Sequence, residues 1–409
     1  MRVLQLNTSD HGGGAQAIAY SLHRAYALRG HDSAIAVGTK RGSDPDVYEI
    51  PRSGTLQRAR SRYGSTLRGH EDFDFPGTAH LLDLPPWTPD VVHAHNLHAG
   101  YFDLRMLPGI ARQRPLLLTL HDQWLYTGHC AHPLGHERWR EGCGNCPNLG
   151  VYPALLRDGT AWNLRRKASI YEGMRVRVAT PSRWLMERVH DSVLASAVVE
   201  SRVIPNGVDL QIFSPGDRAE ARRAIGLPVD SPVVMFAANQ TRTNPFKDYP
   251  TIARAAEILG ARGRELTLAC VGDPGPDRQL GAVLLRHFAN QGEPPALVPF
   301  YRAADLYLHA ARADTFPNTV LESLACGTPV VATAVGGIPE QVDDGETGLL
   351  APLGDAAALA DAVERLLDDS GRRQAMANRA AAVARERYGL DAMVDPYEAW
   401  LEELADSRT

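Results

Sequence analysis

Two carboxylates, Asp314 and Glu322, stand eight residues apart where a loop runs into an apolar helical pattern. Backbone N–H groups at the start of a helix have no partner within that helix, so they attract phosphate and other anionic oxygen atoms. Glu322 lies about one to two turns further in, where its carboxylate can accept hydrogen bonds from a diol such as ribose. Phosphate and ribose together indicate a nucleotide.

Composition bounds the class of protein. The 409 residues suffice for two domains of ordinary size, and 44% hydrophobic with 22% charged residues is typical of a soluble globular chain. A net charge of −5 argues against a general nucleic-acid binder. No apolar run approaches the roughly 20 residues that span a bilayer, and the first strand is too short for a signal peptide. We therefore expect a cytoplasmic protein, and the preference for arginine over lysine is typical of a GC-rich bacterial genome.

The predicted strands and helices alternate along the chain. In the first half we predict strands at 3–7, 33–37, 91–95 and 116–121 and helices at 15–29 and 104–112. In the second half we predict strands at 233–237, 267–272, 306–308 and 330–332 and helices at 249–262 and 320–326. Such alternation predicts an α/β protein with two Rossmann-like, doubly wound parallel-sheet domains and an interdomain cleft that strand ends face. The pattern restarts after Pro205, where Asn206 and Gly207 add the chemistry of a tight turn.

The segment Asp314–Glu322 resembles the paired-acid signature of family 4 retaining glycosyltransferases. The family has Glu at the first position, so Asp314 shortens that acid by one methylene, and Phe316–Asn318 replace the usual Phe-Gly-Leu. Gly327–Pro329 and Gly336–Glu340 follow as they do in the family. A surface helix whose acidic N-terminus is stabilised by the helix dipole is the alternative.

The resemblance extends over essentially the full chain, and Pro205–Asp209 is similar almost letter for letter to the family's interdomain segment. It implies the GT-B fold. The expected domains are an acceptor-side domain at 1–203 and a nucleotide-sugar-binding domain at 204–385. It also implies that a helix near the end of the chain, about 386–409, crosses back to pack on the first domain.

The resemblance also implies the roles of individual residues. The expected catalytic residues are His121, Asp314, Lys247 and Arg242. The expected donor-binding residues are Glu322, on the ribose, together with Phe316, Pro317, Asn318, Thr319, Gly272, Gly12, Gly13 and Gly14.

The glycines Gly12–Gly14 fall between the first strand and the first helix, where the backbone can approach a ligand without a Cβ in the way. The spacing of a dinucleotide-binding loop is broken by Ala15 and Ala17. The loop is similar to the one that the family folds over the donor diphosphate and the acceptor. A tight turn without a ligand is the alternative.

Arg242 and Lys247, five residues apart, follow a buried strand and resemble the family's Arg-x4-Lys pair. Breaking a sugar–phosphate bond adds negative charge to the departing nucleotide, and preorganised cations lower that barrier. The pair can thus substitute for a catalytic metal, so none is expected. Two solvated side chains are the alternative, weaker for Lys247 because the chain has only three lysines.

His121 ends a predicted strand at the cleft-facing edge of its sheet, where a functional side chain is expected. In the family the matching histidine contacts the donor sugar. A lone histidine is also commonly structural. His93, His95 and His98 end another strand and are candidates for the acceptor side.

Three cysteines and a histidine suggest a structural zinc site. Cys143 and Cys146 have the spacing of a metal knuckle, and Cys130 precedes them closely. Histidines at 129, 132 and 136 are available as a fourth ligand. A subset of the family has four cysteines in an insertion here, and His136 occupies the place of the second, so we favour His136. A reduced cluster without metal and a Cys143–Cys146 disulfide are the alternatives.

The stretch Pro51–Gly77 is predicted to be a long loop that carries several arginines. They are Arg52, Arg58, Arg60, Arg62 and Arg68, with Tyr63, Phe73 and Phe75 interleaved. A solvated loop is favoured over peripheral contact with a membrane surface or a grip on a phosphorylated acceptor.

These features predict a retaining glycosyltransferase that moves a sugar from a UDP or GDP donor to an acceptor hydroxyl. The acceptor can be a glycan, a lipid-linked sugar or a small molecule. No side chain is expected as nucleophile, since in the family the leaving phosphate is thought to take the acceptor's proton. A noncatalytic nucleotide-sugar binding protein and an epimerase or phosphorylase of the same architecture are the alternatives.

Overall fold

The computed structural model describes residues 1–52, 63 and 66–406. Its contacts divide the chain into two compact units. The first unit comprises Met1–Pro205 and Val394–Thr409, and the second unit comprises Asn206–Met393. The predicted arginines at positions 58, 60 and 62 lie outside the described residues.

The first unit contains a seven-stranded sheet of order β3-β2-β1-β4-β5-β6-β7, in which every neighbouring pair is parallel. The strands are β1 Arg2–Ser9, β2 Asp32–Thr39, β3 Val47–Glu49, β4 Val91–Ala94, β5 Leu116–Thr119, β6 Val176–Thr180 and β7 Val198–Val203. Its α-helices are Gly14–Leu28, Leu107–Gln113, Thr160–Tyr171 and Arg183–His190. Strands such as β4 and β5 are buried along their whole length, as expected when helices cover both faces of a parallel sheet.

The second unit contains another seven-stranded sheet, of order β10-β11-β9-β8-β12-β13-β14. Its strands are β8 Val233–Ala237, β9 Leu266–Gly272, β10 Arg278–Leu280, β11 Val283–Ala289, β12 Leu306–His309, β13 Val330–Thr333 and β14 Gly348–Ala351. Its α-helices are Arg218–Ala224, Tyr249–Ala261, Pro294–Ala303, Asn318–Ala325, Ile338–Gln341, Ala356–Asp368 and Ser370–Arg387. The β10–β11 hairpin is antiparallel and the other pairs are parallel. The expected α/β class with two parallel-sheet domains is confirmed.

Both sheets change direction of winding beside their first strand. In the first unit β1 lies between β2 and β4, and in the second unit β8 lies between β9 and β12. Ligands of doubly wound sheets bind outside the carboxyl ends of the strands at such a switch point. The glycine loop follows β1, and His95 follows β4. Lys247 and Asp314 follow β8 and β12, so the second switch point carries two of the predicted site residues.

The last α-helix, Leu390–Asp406, begins in the second unit and continues into the first. Tyr397, Trp400 and Leu401 on this helix are buried. The Tyr397 hydroxyl accepts a hydrogen bond from the Thr119 hydroxyl at 3.1 Å, at the end of β5. The end of the chain is therefore part of the core of the first unit. No helix among the described residues is both long and apolar enough to cross a membrane.

Candidate functional site

In the second unit, the structure brings Asp314 and Lys247 together. Lys247 Nζ donates to Asp314 Oδ2 at 2.5 Å. The fully buried ring of His309 places its Nε2 3.5 Å from the same oxygen. Burial raises the pKa of Asp314, but the charge of Lys247 and the contact with His309 outweigh it and hold that pKa well below its usual range. Asp314 is thus an ionised carboxylate paired with a cation.

The loop before the helix is held by the backbone oxygen of Asp314. Gly336 has φ +59°, and a Cβ at this position would come within 1.7 Å of that oxygen. The N–H of Gly337 donates to it at 3.3 Å. Only glycine combines this positive φ with such a close approach, so Gly336 fixes where the acid side chain leaves the backbone.

The helix Asn318–Ala325 begins without a side-chain cap, and Pro317 occupies the N-cap position. Asn206 donates its amide to the Asn318 side chain at 3.0 Å and to the Phe316 carbonyl at 3.2 Å. The first turn is therefore anchored from outside the helix. Thr319 follows in that turn with a buried hydroxyl.

Phe316 differs from its neighbours because its side chain lies in the hydrophobic core of the second unit. Its ring packs edge-on against Tyr388, with 6.0 Å between centroids. Phe316 contributes to the start of the helix through its backbone carbonyl, which accepts the hydrogen bond from Asn206.

Glu322 accepts a hydrogen bond from the Tyr301 hydroxyl at 2.7 Å. Burial raises the pKa of Glu322 to about 7, and the hydrogen bond from Tyr301 offsets part of the rise. A carboxylate near its midpoint at neutral pH can change its charge when a ligand arrives. Tyr301 was not among the predicted site residues.

Arg242 is placed apart from the acid–lysine pair. Its backbone N–H donates to Asp273 at 3.0 Å, and its guanidinium donates to the Pro274 carbonyl at 2.9 Å. The side chain is exposed. Gly272, at the end of β9, has φ +142°. A Cβ added to Gly272 would lie 1.8 Å from the Ala238 carbonyl oxygen. Of the two predicted cations, Lys247 is the one in contact with Asp314.

In the first unit, Gly12–Gly14 lie at the start of the helix Gly14–Leu28, which has no side-chain cap. Gly12 has φ +117°, and a Cβ there would meet the Arg41 guanidinium at 2.4 Å. Buried Asp10 accepts hydrogen bonds from the N–H groups of Arg41 and Gly42, both at 2.7 Å. This acid therefore ties the strand-end loop to the loop after β2.

His121 is half-buried and adjoins a row of buried polar side chains. Its Nε2 lies 3.0 Å from His95 Nδ1, and His95 Nε2 lies 2.9 Å from the side-chain amide oxygen Oε1 of Gln5. Burial lowers the pKa of His121 to about 4, and the neighbouring Asp122 offsets part of the fall. The ring is therefore neutral at pH 7. His93 lies farther back in the core and contacts the Thr119 hydroxyl at 2.7 Å.

A pocket of about 730 Å³ opens beside this row in the first unit. His98 forms part of its wall and pairs with Asp122 at 2.8 Å. Glu71 forms another part and pairs with fully buried Lys167 at 3.0 Å. His98, noted in the sequence as a candidate for the acceptor side, thus faces a cavity of the first unit.

The cysteine cluster is assembled only in part. Cys146 Sγ lies 3.5 Å from His129 Nε2, and His129 Nδ1 lies 2.9 Å from the Pro153 carbonyl oxygen. Neither ring nitrogen of His136 has a hydrogen-bond partner among the described residues. All five cysteines are free thiols, so the cluster contains no disulfide. Among the described residues, His31, Glu398 and Glu402 have potential metal-ligand atoms that all lie within 4.8 Å of one another. The cysteines do not form such a group in this part of the chain.

His309 and Tyr301 are the site residues that sequence reasoning missed. His309 ends β12, and the switch-point rule that drew attention to His121 could have identified it. Tyr301 carries no comparable signal, since its position in the helix Pro294–Ala303 predicts a core aromatic.

Comparison with known proteins identifies the family. Residues 12–212 match the family described as Glycosyltransferase Family 4, and residues 231–369 match Glycosyl transferases group 1. A relative from Actinosynnema mirum named D-inositol 3-phosphate glycosyltransferase is 40% identical over 413 residues, covering 93% of this chain and 90% of the relative. A protein of the same name from Nocardia farcinica is 36% identical and covers 99% and 88%. Another, from Acidothermus cellulolyticus, is 40% identical over about half of each chain, 51% and 49%.

Solved structures share the fold at low sequence identity. Sucrose-phosphate synthase from Thermosynechococcus elongatus aligns with a TM-score of 0.70 and 19% identity over 99% of both chains. Anabaena HepE in complex with UDP and glucose aligns with a TM-score of 0.65 and 18% identity over 99% of this chain and 100% of that chain. The chain therefore belongs to glycosyltransferase family 4, and its two parallel-sheet units have the GT-B fold.

Proposed function

We propose that this glycosyltransferase transfers a sugar from a nucleoside diphosphate donor to an acceptor hydroxyl with retention of the anomeric configuration. The observation that carries the proposal is the pair of Asp314 and Lys247, joined at 2.5 Å outside the carboxyl ends of β12 and β8. A cation and an acid at one switch point can each bind a different part of the donor. Lys247 serves the diphosphate, and Asp314 serves the hydroxyls of the donor sugar.

The electrostatics support a nucleotide. The helix Asn318–Ala325 has no side-chain cap at its start, and the start of a helix attracts phosphate oxygen atoms. Glu322 lies behind it, where its carboxylate can accept the ribose hydroxyls. Lys247 lies where negative charge grows as the sugar–phosphate bond breaks, and a fixed cation stabilises that charge. Arg242 contributes only if its exposed side chain leaves Pro274, so we assign it the outer part of the diphosphate.

Retention of configuration follows from the donor acting as its own base. In this proposal the leaving phosphate takes the proton of the acceptor hydroxyl on the face from which it departs, so one bond breaks and one forms on the same side. His121 is neutral because of its burial, and it would contact the sugar as a hydrogen-bonding group rather than as an acid. Lys247 and Arg242 make a catalytic metal unnecessary, so we expect full activity without added Mg²⁺ or Mn²⁺.

A panel of UDP- and GDP-sugars tests the donor assignment, with release of nucleoside diphosphate as the measurement. Glu322→Ala should reduce turnover by orders of magnitude while circular dichroism stays unchanged. Glu265→Ala is the matched control, because Glu265 is an exposed acid on the same unit. Equal turnover of the Glu322 variant and the control would contradict the proposal.

Two rivals predict different products. A noncatalytic binding protein would bind the nucleotide sugar without releasing nucleoside diphosphate, and an epimerase would change the sugar while it stays attached to the nucleotide. Proton NMR of the product separates these outcomes and also reads the anomeric configuration. An inverted product would remove the retaining assignment and leave the transferase assignment in place.

For the acceptor we propose an inositol phosphate as the first compound to test. Two relatives that align along most of this chain are named D-inositol 3-phosphate glycosyltransferase. The panel should add glycans, lipid-linked sugars and small-molecule alcohols, because the pocket near His98 has apolar as well as charged walls. Transfer to any one of them, at a rate above donor hydrolysis, identifies the acceptor class.

We further propose that a structural zinc ion is held by Cys130, Cys143 and Cys146 with one histidine. Zinc–sulfur bonds of about 2.3 Å and zinc–nitrogen bonds of about 2.0–2.1 Å at a tetrahedral angle put sulfur and nitrogen about 3.5 Å apart. The Cys146–His129 pair has this spacing, 3.5 Å. His129 also turns its other nitrogen to a carbonyl, as metal-binding histidines do. His129 is thus favoured over His136 as the fourth ligand.

Metal analysis of purified protein tests the zinc proposal. We expect about one zinc per chain, reduced by His129→Gln and by Cys143→Ser but not by the matched variant His136→Gln. Zinc loss in His136→Gln with retention in His129→Gln would return the assignment to His136. Less than about half an equivalent in the unaltered protein, prepared without chelators, would refute the site.

A further inference from the structure

The buried ring of His309 directs a polar atom at Asp314 without completing a hydrogen bond to it. Its side chain is 0% exposed, and among the described residues its Nε2 has no hydrogen-bond partner. The same Nε2 lies 3.5 Å from Asp314 Oδ2, the oxygen that Lys247 contacts at 2.5 Å. Unpaired polar atoms in protein interiors are uncommon and call for an explanation.

Lys247 faces two demands that it cannot meet equally. In the structure its ammonium is the close partner of Asp314, whereas the proposed function requires it on the donor diphosphate. A diphosphate carries more negative charge than one carboxylate and therefore competes for the ammonium. When Lys247 turns away, a buried carboxylate without a partner is strongly unfavourable. A second donor at Oδ2 is then needed, and His309 Nε2 is the atom aimed at it.

We propose that His309 is a positioning residue that takes over Asp314 Oδ2 when the donor diphosphate draws Lys247 away. The carboxylate then keeps its orientation, with Oδ1 presented to the hydroxyls of the donor sugar. This inference rests on the proposed function. It also accounts for the shorter acid, because Asp314 can be held at one oxygen by two alternative partners without leaving the wall of the site.

Tyr307 decides which ring nitrogen of His309 carries the proton. Its hydroxyl lies 3.2 Å from His309 Nδ1 and 3.3 Å from the Ala237 carbonyl oxygen. Burial lowers the pKa of His309, so the ring is neutral at pH 7 and has a single N–H. Tyr307 donates its single proton to the Ala237 carbonyl oxygen in the structure. The takeover requires that proton to turn to Nδ1, because the N–H of His309 is then on Nε2 and points at Asp314. The hydroxyl of Tyr307 thus supports the takeover through His309.

Calorimetric binding of two probe pairs tests the proposal: UDP with UDP-glucose, and GDP with GDP-mannose. The comparison uses whichever pair the unaltered protein binds. In His309→Leu we expect the affinity for the nucleotide sugar of that pair to fall at least tenfold. Binding of its parent diphosphate should change less than twofold. His309→Gln retains an amide donor and should recover most of the affinity. Tyr307→Phe, which keeps the ring volume, should weaken the nucleotide sugar to a smaller extent.

The outcomes separate this inference from the proposed function. Equal weakening of diphosphate and nucleotide sugar in His309→Leu would reveal a purely structural histidine and overturn the inference. Unchanged binding of both would also overturn it. In an Asp314→Asn background the His309→Leu effect should disappear, since the histidine acts through that acid. If the unaltered protein binds neither pair, the proposed function itself fails together with this inference.

Discussion

At the scale of single residues, the two acids of the proposed donor site have pKa values shifted in opposite directions. Asp314 has a cation within 2.5 Å, and its pKa is held below the usual range. Glu322 has only the hydroxyl of Tyr301, and burial raises its pKa to about 7. Asp314 is therefore charged throughout the physiological range, whereas Glu322 is near its midpoint. The pH dependence of nucleotide binding should be set by Glu322.

Tyr301→Phe tests this directly. The hydrogen bond from Tyr301 lowers the pKa of Glu322, so its loss should raise that pKa further and leave less carboxylate to accept the ribose hydroxyls at about pH 7. We expect UDP affinity to rise with pH in both proteins, with the midpoint at higher pH in the variant. Titration calorimetry from about pH 6 to 9 measures it. Identical midpoints would show that Glu322 does not control nucleotide affinity.

Glu322 also links stability to pH. Its pKa in the folded protein, about 7, lies above its ordinary value of 4.5. The folded state therefore keeps the proton that the unfolded state has already lost, and stability falls as pH rises between these two values. Glu322→Gln removes this loss. We expect the variant to have a higher Tm than the unaltered protein at about pH 8 and a smaller difference at about pH 5.

Thermal unfolding monitored by circular dichroism at the two pH values checks the sign. A variant that is less stable at high pH would mean that Glu322 is not penalised by burial. The variant should also bind nucleotide more weakly, so a gain in stability would accompany a loss of function, as is common where an active site keeps a buried charge.

The sequence indicated some of these residues and not others for a physical reason. Asp314 and Lys247 follow strand ends, and strand ends can be located from short apolar runs. His309 directly follows the predicted strand 306–308, so the same signal could have identified it. Tyr301 lies within a helix, where tyrosines and other aromatic side chains serve equally well in a core. Whether their polar atoms face a ligand depends on the rotation of the element and on tertiary packing, which periodicity alone does not determine.

At the scale of elements, the proposed donor site depends on how closely the loop at Gly336 approaches the loop at Asp314. Gly336 and Gly345 both have positive φ, +59° and +84°. An added Cβ on Gly336 would meet the Asp314 carbonyl oxygen at 1.7 Å, whereas nothing lies within 4 Å of one on Gly345. The pair separates the cost of backbone strain from the cost of a steric clash.

Gly336→Ala should abolish detectable UDP binding and lower stability by more than the roughly 1–2 kcal/mol that a left-handed conformation costs alanine. Gly345→Ala should cost only about that amount and leave UDP binding unchanged. Denaturant unfolding and calorimetry on both variants provide the comparison. Similar losses in the two variants would mean that the approach of Gly336 to Asp314 has no particular importance.

Elements were predictable where both faces of a strand are buried. The runs that became β4, β5, β8 and β13 are continuous apolar segments. The β10–β11 hairpin was not predicted, because its residues are largely polar or half-exposed and resemble a loop. The fourth ligand of the proposed zinc site was unpredictable for a similar reason. Three histidines fall in a segment without periodicity, and only the folded loop places His129 beside Cys146.

At the scale of the whole molecule, each unit has its own core, and the first unit includes the end of the chain. Trp400 is fully buried, and the Arg202 guanidinium lies 4.4 Å from the centre of its ring. The repeat of the α/β pattern after Pro205 indicated two domains. Local composition gave no indication of which unit receives the last helix, since an amphipathic helix can cover either sheet.

Trp400→Ala should destabilise the protein by about 3–5 kcal/mol, the usual cost of removing a buried aromatic side chain. Leu28→Ala is the matched control in the same unit, because Leu28 is 81% exposed. Denaturant unfolding followed by circular dichroism should show the loss for Trp400→Ala and almost none for Leu28→Ala. A loss below about 1 kcal/mol for Trp400→Ala would mean that the last helix contributes little to the first unit.

The helix Leu390–Asp406 also dictates an order of events during synthesis. The ribosome completes Met1–Pro205 before the second unit, yet the segment from Val394 that belongs to the first unit emerges only after the second unit. At about 5–20 residues per second, the nascent first unit waits tens of seconds for its final piece while the second unit is translated in full. The unit that is synthesised first is thus the second to be completed. Until the last helix emerges, the apolar surface that this helix covers is exposed, and we expect chaperones to bind it.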